Sequence, residues 1–222
     1  MPFTARDRSK YPTVIGCDEV GRGALSGPVV VAAVWFDPQT VPRKLLRELD
    51  DSKNLSAGKR FELAAWIRQT SKISVAANSV SVIDVRNIRN ATLHAMERAI
   101  TKLQIGAPVM IDGIDIPPGL TCECSAIVQG DSKIPQIAAA SIIAKTVRDS
   151  LMARLASRYP AYAWDRNAGY GTKQHLGAIK DHGTTPHHRR SFAPIAQLSL
   201  EFEPSNVAPV GEFIAAAAYN VA

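Results

Sequence analysis

The sequence contains little cysteine, no long apolar run and no block of like charge. Its three cysteines, Cys17, Cys122 and Cys124, form no paired C-x-x-C pattern, which excludes a cysteine zinc cluster, and they are too sparse for a disulfide framework. We therefore expect a reduced, cytoplasmic setting. No stretch reaches the ~18 uninterrupted apolar residues of a membrane helix, and the N-terminus has no apolar signal-peptide core. We expect no membrane partner.

The charge balance is moderately basic. The 222 residues include 26 Lys and Arg against 20 Asp and Glu, a formal net charge of +6. Such an excess is compatible with a polyanionic partner but is common in other proteins. The length predicts one domain, or one domain with a small appendage. We assign residues 1–202 to the domain and residues 203–222, which carry few charges, to a loosely attached tail.

Apolar, β-branched runs alternate with helical patterns along the domain. Five runs predict strands: 13–18, 29–36, 72–77, 108–111 and 125–128. Five stretches with helical spacing predict helices: 41–49, 57–69, 88–103, 135–157 and 173–181. This order is typical of an α/β domain with a mixed sheet, and Pro135 suits the first turn of its helix.

Carboxylates follow three of the predicted strands. Asp18 and Glu19 end the first, Asp112 ends the fourth, and Asp131 follows the fifth. Ligands gather beyond the carboxyl ends of strands in open α/β sheets, so these acids can converge. A cluster of unpaired carboxylates makes physical sense mainly if Mg²⁺ or Mn²⁺ neutralises it. Two such ions can support phosphodiester hydrolysis.

Each acid also has a plainer interpretation. Taken singly, Asp112 or Asp131 is typical of a structural turn residue. Asp18 and Glu19 pose a geometric question, because successive strand residues face opposite sides of a sheet. Both can reach one site only if the strand ends or bends there.

Other residues near the acids suit a phosphate or a sugar. Arg22 lies between Gly21 and Gly23, where a guanidinium and backbone N–H groups can meet phosphate, although an ordinary turn arginine fits as well. On the helix from Pro135, Ser141 and Lys145 could hold substrate backbone or a carboxylate. On the same helix, Arg148 is predicted to be solvated and to pair with Asp149.

The region after residue 159 is rich in glycine, aromatic and basic residues. Tyr170 lies on a glycine-rich turn and could stack on a sugar or base, or it could cover the edge of the core. Basic side chains follow it in the sequence: Lys173, His175, Lys180, Arg189 and Arg190. His187 and His188 could bind metal, but solvent exposure is favoured. Cys122 and Cys124 could form a metal-ligand pair, but no matching second pair exists, so a β-edge or a loop is favoured.

In their order, these motifs resemble the type 2 ribonuclease H family, specifically bacterial ribonuclease HII. The similarity covers nearly all of residues 13–195. The matching segments are DEVGRG at 18–23, GPVV at 27–30, DSK at 51–53, IDG at 111–113, GDSK at 130–133, AAASIIAK at 138–145 and GYGT at 169–172. The resemblance implies a ribonuclease H-like fold with a central mixed five-stranded sheet flanked by helices. Residues 159–202 would form a small C-terminal helical part that contacts substrate.

The same resemblance implies a function. It implies an endonuclease that cleaves RNA in RNA–DNA hybrids and nicks 5′ to ribonucleotides embedded in duplex DNA, with Mn²⁺ or Mg²⁺. The cleavage products would carry 3′-OH and 5′-phosphate ends. The enzyme would act in ribonucleotide excision repair and in the removal of RNA primers. The implied active-site residues are Asp18, Glu19, Asp112 and Asp131. The implied substrate contacts are Gly21, Arg22, Gly23, Lys53, Ser141, Lys145 and Tyr170.

Three alternatives stay open. A non-catalytic nucleic-acid binder on the same fold is disfavoured, because clustered acids would repel the phosphate backbone. A metal-dependent phosphatase acting on small molecules is disfavoured by the basic surface. A ribonuclease HIII-like preference is disfavoured because that group usually carries an extra N-terminal domain, whereas a short segment precedes the first predicted strand here. Asp50 replaces the family's common asparagine. We expect a monomer, with a replication clamp as a candidate partner.

Overall fold

The computed structural model describes Phe3 and residues 8–49 and 55–201. Three features of the sequence analysis lie outside the described residues: Asp50, Lys53 and the predicted tail at 203–222. Among the helices that the structure describes, none combines the length and the apolar character that a membrane crossing requires.

A five-stranded sheet forms the centre of the domain. Its strands are β1 (Ile15–Val20), β2 (Val29–Trp35), β3 (Lys72–Asn78), β4 (Val109–Asp112) and β5 (Cys124–Ile127). Their spatial order is β3-β2-β1-β4-β5. The pairs β3–β2 and β2–β1 are antiparallel, whereas β1–β4 and β4–β5 are parallel. The predicted mixed sheet is confirmed, and Cys124 lies on its edge strand as expected.

Helices cover both faces of the sheet. They are α1 (Arg43–Glu48), α2 (Ala57–Thr70), α3 (Val80–Arg86), α4 (Ile88–Leu103), α5 (Pro135–Arg158), α6 (Trp164–Asn167), α7 (Lys173–His182) and α8 (Ala193–Glu201). The predicted helices correspond to α1, α2, α4, α5 and α7. The sequence analysis did not predict α3, and it placed α6 and α8 only within the C-terminal helical part at 159–202 that the resemblance implies.

The long helix α5 packs directly on one face of the sheet. Its alanines and isoleucines form a core with Val34 of β2 and Leu63 of α2. The approach to β1 is close, because a Cβ atom at Gly16 would lie 2.1 Å from the carbonyl carbon of Gln136. On the other face, α4 places Met96 against Ile15. The close contact of α5 with β1 brings the middle of the helix beside the end of the strand.

The C-terminal part forms a separate aromatic core beside the sheet. Trp164 and Tyr162 are buried there with Ile179, and they pack against Leu25 and Met152. The backbone N–H of Leu25 donates to the carbonyl of Gly169 at 2.8 Å, and a single β-bridge joins Ser26 to His188. The loop after β1 is therefore held by the C-terminal helices.

Candidate active site

A cavity of about 400 Å³ opens where β1 and β4 end. Besides Val20, its lining brings together most of the predicted site residues: Asp18, Glu19, Asp112, Asp131, Ser141, Lys145 and Tyr170. A larger cavity of about 800 Å³ lies beside the C-terminal half of α5, but the described residues that line it include no Asp or Glu. The chemistry expected from the sequence therefore belongs to the smaller cavity.

The pairing of β1 explains how neighbouring acids reach one cavity. β1 pairs with β2 as far as Val20, but its parallel pairing with β4 stops at Cys17. The edge of β1 that faces β4 is therefore open at Asp18 and Glu19. The two side chains leave opposite faces of the strand, and both line the space that opens between the strands. β1 continues only to Val20, so both acids lie within its last three residues.

The other two acids lie on a linked pair of turns. Asp112 is the last residue of β4, and its Oδ1 accepts a hydrogen bond from the backbone N–H of Gly130 at 2.7 Å. Asp131 lies in the short 3₁₀ turn Gly130–Ser132 that follows β5. This hydrogen bond couples the turn that carries Asp131 to the end of β4.

Burial and like charge raise the pKa of the two β1 acids. Burial raises the pKa of Asp18 well above its usual value, and the charges of Glu19 and Asp112 raise it further. Hydrogen bonds from Ser141 and from the Glu19 backbone N–H oppose this shift. Burial also raises the pKa of Glu19, against the opposing charge of Arg22. Without a cation, the ionised form of both carboxyls is therefore disfavoured.

The donor set fits a hard divalent cation. Glu19 Oε2 is buried and has no hydrogen-bond partner in the described structure, and its Oε1 meets Arg22 at 3.4 Å. Carboxylate oxygens are the ligands that Mg²⁺ and Mn²⁺ prefer. Among the described residues, no three His, Cys, Asp or Glu side chains lie close enough together to form a ready-made metal cluster. The acids thus surround an open space and do not form a closed coordination shell.

The residues on α5 differ from expectation. Lys145 lines the cavity, yet its Nζ donates to Asp149 Oδ1 at 2.8 Å. The prediction that Arg148 is solvated and pairs with Asp149 is wrong. Arg148 is 0% exposed and donates to the carbonyls of Ser26, Pro28 and Ala168 at 2.8–3.0 Å. Its guanidinium also lies 5.6 Å from the centre of the Tyr170 ring.

The prediction that His188 is exposed is also wrong. His188 is 1% exposed, and its Nδ1 accepts a hydrogen bond from the backbone N–H of Thr185 at 2.9 Å. The indole N–H of Trp164 donates to His175 Nε2 at 3.0 Å. Because both donors are obligate, we assign the ring protons to His188 Nε2 and His175 Nδ1.

This assignment connects the histidine pair to the cavity. The two Nε2 atoms lie 3.2 Å apart, so His188 donates to His175. His175 Nδ1–H in turn donates to the carbonyl of Tyr170 at 2.9 Å. Burial lowers the pKa of both rings, that of His188 to about 4, and both are neutral at pH 7. The pair therefore holds the backbone of the tyrosine that lines the cavity.

Arg189, one of the basic residues in the region after residue 159, is likewise buried at 0% exposure. It donates to the carbonyls of Gly21, Arg22 and Gly27. The adjacent Arg190 is exposed. No local signal in the sequence distinguishes the two arginines.

The sheet order and the carboxylate-lined cavity define an enzyme of the ribonuclease H-like fold. The family model for ribonuclease HII matches residues 15–195, and the chain belongs to that family. It is 52% identical over 201 residues to ribonuclease HII of Paramagnetospirillum magneticum, covering 90% of this chain and 100% of the relative. The chain is therefore a metal-dependent ribonuclease H of type 2, a family that acts on RNA–DNA hybrids.

Solved structures show the same fold. The ribonuclease HII of Archaeoglobus fulgidus, solved in complex with PCNA, is 28% identical with a TM-score of 0.71, over 83% of this chain and 95% of that one. The ribonuclease H2 of Pyrococcus horikoshii is similar in fold, with a TM-score of 0.74 at 24% identity, over 86% of this chain and 99% of that one.

Proposed function

We propose that the protein nicks duplex DNA on the 5′ side of embedded ribonucleotides and cleaves RNA in RNA–DNA hybrids. One observation carries the proposal: four carboxylates and Tyr170 line a single cavity. The acids suit divalent-metal chemistry on a phosphodiester, and the aromatic side chain suits recognition of a sugar. A site with only the first component would not select ribonucleotides.

The four acids would hold the metal ions. Asp18, Glu19 and Asp112 are the proposed principal ligands, and Asp131 completes the set. Two Mn²⁺ or Mg²⁺ ions, when bound, would supply activation of the attacking water and stabilisation of the leaving oxygen. The hydrogen bond from Ser141 favours the ionised form of Asp18, which is the form that coordinates a cation. Lys145, at the cavity wall, would face the substrate backbone.

The reaction is a hydrolysis at the phosphate between a nucleotide and the ribonucleotide that follows it. The water oxygen forms a bond to phosphorus while the bond to the 3′ oxygen of the preceding nucleotide breaks. The leaving oxygen takes up a proton, so the ends are 3′-OH and 5′-phosphate. Such a 3′-OH end can be extended by a polymerase, which agrees with roles in ribonucleotide excision repair and primer removal.

Tyr170 and the loop of Gly21, Arg22 and Gly23 would select the ribonucleotide. The Tyr170 side chain lines the cavity, and the residue is 37% exposed. A phenol in this position can stack on the ribose or hydrogen-bond its 2′-OH. Arg22 is exposed and contacts Glu19, so the loop borders the acids.

The direct test uses a labelled DNA duplex with one embedded ribonucleotide. A nick 5′ to the ribonucleotide in Mn²⁺ or Mg²⁺, lost in EDTA and absent from the matched all-DNA duplex, is expected. Binding without a nick would instead indicate the non-catalytic binder. Release of phosphate from small phosphomonoesters, with neither binding nor a nick, would indicate the phosphatase.

The assembly state and partner are proposed separately. We propose a monomer, which light scattering would report as a mass near 23.9 kDa. The archaeal relative was solved with PCNA, so a replication clamp is the candidate protein partner. Co-elution with the clamp of the same organism in size-exclusion chromatography would support this partner, and separate elution at micromolar concentrations would contradict it.

A further inference from the structure

Arg189 directs its guanidinium at one loop. It donates to the carbonyls of Gly21 at 2.7 Å, Arg22 at 2.8 Å and Gly27 at 2.9 and 3.0 Å. Within the described residues it has no ion pair. A buried charge without a counter-ion is costly unless hydrogen bonds compensate it. All of the hydrogen bonds that compensate Arg189 come from backbone carbonyls between residues 21 and 27.

A second buried arginine supports the same loop from beneath. Gly21 has φ of +91°, and a Cβ atom there would lie 2.1 Å from Arg148 Nε. Arg148 is itself held by the carbonyls of Ser26 and Pro28. The inner side of the loop is therefore packed against Arg148 as well as hydrogen-bonded to Arg189, so it cannot move inward.

The direction of the carbonyls determines what the outer side presents. In a trans peptide the N–H points opposite to the C=O of the same unit, and the described residues contain no cis peptide bond. The carbonyls of Gly21 and Arg22 point inward to Arg189, so the N–H groups of Arg22 and Gly23 point outward. Both residues are exposed, and a Cβ atom at Gly23 would meet nothing within 4 Å. Two successive outward N–H groups are a site for an anionic or hydroxyl oxygen.

We propose that Arg189 is a positioning residue that fixes the N–H groups of Arg22 and Gly23 to receive an oxygen of the ribonucleotide. The inference rests on the proposed function and extends it to a residue that does not line the cavity. The oxygen belongs either to a phosphate or to the 2′-OH. Comparison with a matched all-DNA duplex distinguishes these two sources.

The test compares Arg189→Lys with Arg190→Lys in the full chain. Both variants keep the net charge, but lysine lacks the planar fork that reaches several carbonyls at once. We expect kcat/KM on the single-ribonucleotide duplex to fall at least about 10-fold in Arg189→Lys, the loss of one or two net hydrogen bonds. Arg190→Lys should stay within about twofold, because its exposed side chain makes no contact that the loop requires.

A second readout separates positioning from general destabilisation. In amide NMR spectra of Arg189→Lys, the resonances of residues 21–23 should shift or broaden while those of β2 and α4 stay in place. An Arg189→Lys protein with full activity, or one in which the loop amides are unchanged, would overturn the inference. Wild-type protein that fails to nick the duplex would refute the proposed function instead, so the two failures are distinct.

A measurement on wild-type protein covers the case in which Arg189→Lys does not fold. The duplex with one ribonucleotide is titrated in EDTA, where no cleavage occurs. The amide resonances of Arg22 and Gly23 should shift on binding, and unchanged resonances at saturation would overturn the inference. Shifts with the ribonucleotide duplex alone would identify the 2′-OH, whereas equal shifts with the all-DNA duplex would identify a phosphate.

Discussion

The two sides of the candidate site handle charge in opposite ways. At the open end of β1, Asp18 is buried and Glu19 is half-buried, and Glu19 Oε2 has no hydrogen-bond partner in the described structure. Beneath the neighbouring loops, Arg148 and Arg189 are fully buried, and several backbone carbonyls accept hydrogen bonds from each. The Glu19 carboxylate therefore has an oxygen that a cation could bind, whereas both guanidinium groups already have their hydrogen-bond partners.

This difference indicates different roles: we expect the acids to bind a ligand and the arginines to hold the surrounding loops in place. A cluster of carboxylates without a bound cation destabilises the folded protein, and binding of a cation stabilises it. A charge that is already satisfied by backbone groups gains nothing from a ligand and instead holds its partners in place. We therefore expect substitutions on the acidic side to reduce activity with little cost in stability, and those on the basic side to reduce stability first.

The largest expected effect tests the acidic side. Asp18→Asn removes a proposed ligand, and kcat should fall by about 1,000-fold or more, corresponding to several kcal/mol of lost transition-state stabilisation. The midpoint of thermal unfolding without metal should stay level or rise, because a buried charge repelled by Glu19 and Asp112 is removed. A nicking assay and a thermal melt measure the two quantities. Full activity in Mg²⁺ would contradict the assignment of Asp18.

Removal of Arg148 tests the basic side. Arg148→Ala leaves the carbonyls of Ser26, Pro28 and Ala168 without their donor. Unsatisfied buried groups and lost packing should lower the free energy of unfolding by about 3 kcal/mol or more. The exposed Arg154 on the same helix is the matched control. Arg154→Ala should change the free energy of unfolding by about 0.5 kcal/mol at most. Equal urea midpoints for the two variants would remove the distinction between the two sides.

The buried histidine pair predicts a loss of stability in acid. Folding lowers the pKa of His188 from 6.5 to about 4, with burial as the main cause and the neighbouring His175 as the second. The unfolded chain then binds the proton more tightly than the folded protein does. The stability that neutral His188 contributes is therefore fully present above about pH 6.5 and is lost as the pH falls towards 4. Urea unfolding at several pH values measures it. His188→Gln, which cannot titrate, should flatten the slope in this window, and an unchanged slope would contradict the prediction.

The smallest expected effect concerns the Tyr170 hydroxyl. Tyr170→Phe keeps the ring over Arg148 and removes one hydrogen bond to the ribose. We expect kcat/KM to fall about 2- to 10-fold, the range for one neutral hydrogen bond. Tyr170→Ala, which also removes the ring, should fall further. If the two variants have the same activity, the ring contributes nothing to recognition.

The acids could be located from sequence because they lie at the ends of regular strands. Asp112 ends β4 as predicted, and the Pro135 helix begins where expected. The sharing of one cavity by Asp18 and Glu19 could not be predicted, because it depends on where β1 and β4 stop pairing. Register between strands far apart in the chain is a tertiary property.

The exposure of the basic residues could not be predicted for a similar reason. Arg148 and Asp149 are adjacent and opposite in charge, so a local ion pair was the natural expectation for a helix surface. His188 and Arg189 lie in a segment without a hydrophobic period, which usually indicates a loop. Their burial follows from the packing of the C-terminal helices against the loop after β1.

The sequence by itself determined the strands, the principal helices and the kinds of ligand at the strand ends. These depend on β-branching, on helical spacing and on side-chain type, which act over a few residues. The tertiary structure alone decided which charges meet a partner. Arg189 is satisfied by carbonyls 162 to 168 residues away, whereas Glu19 Oε2 is left without a partner in the described structure. The free energy of a buried charge depends on the groups that surround it in space, and the local sequence does not specify those groups.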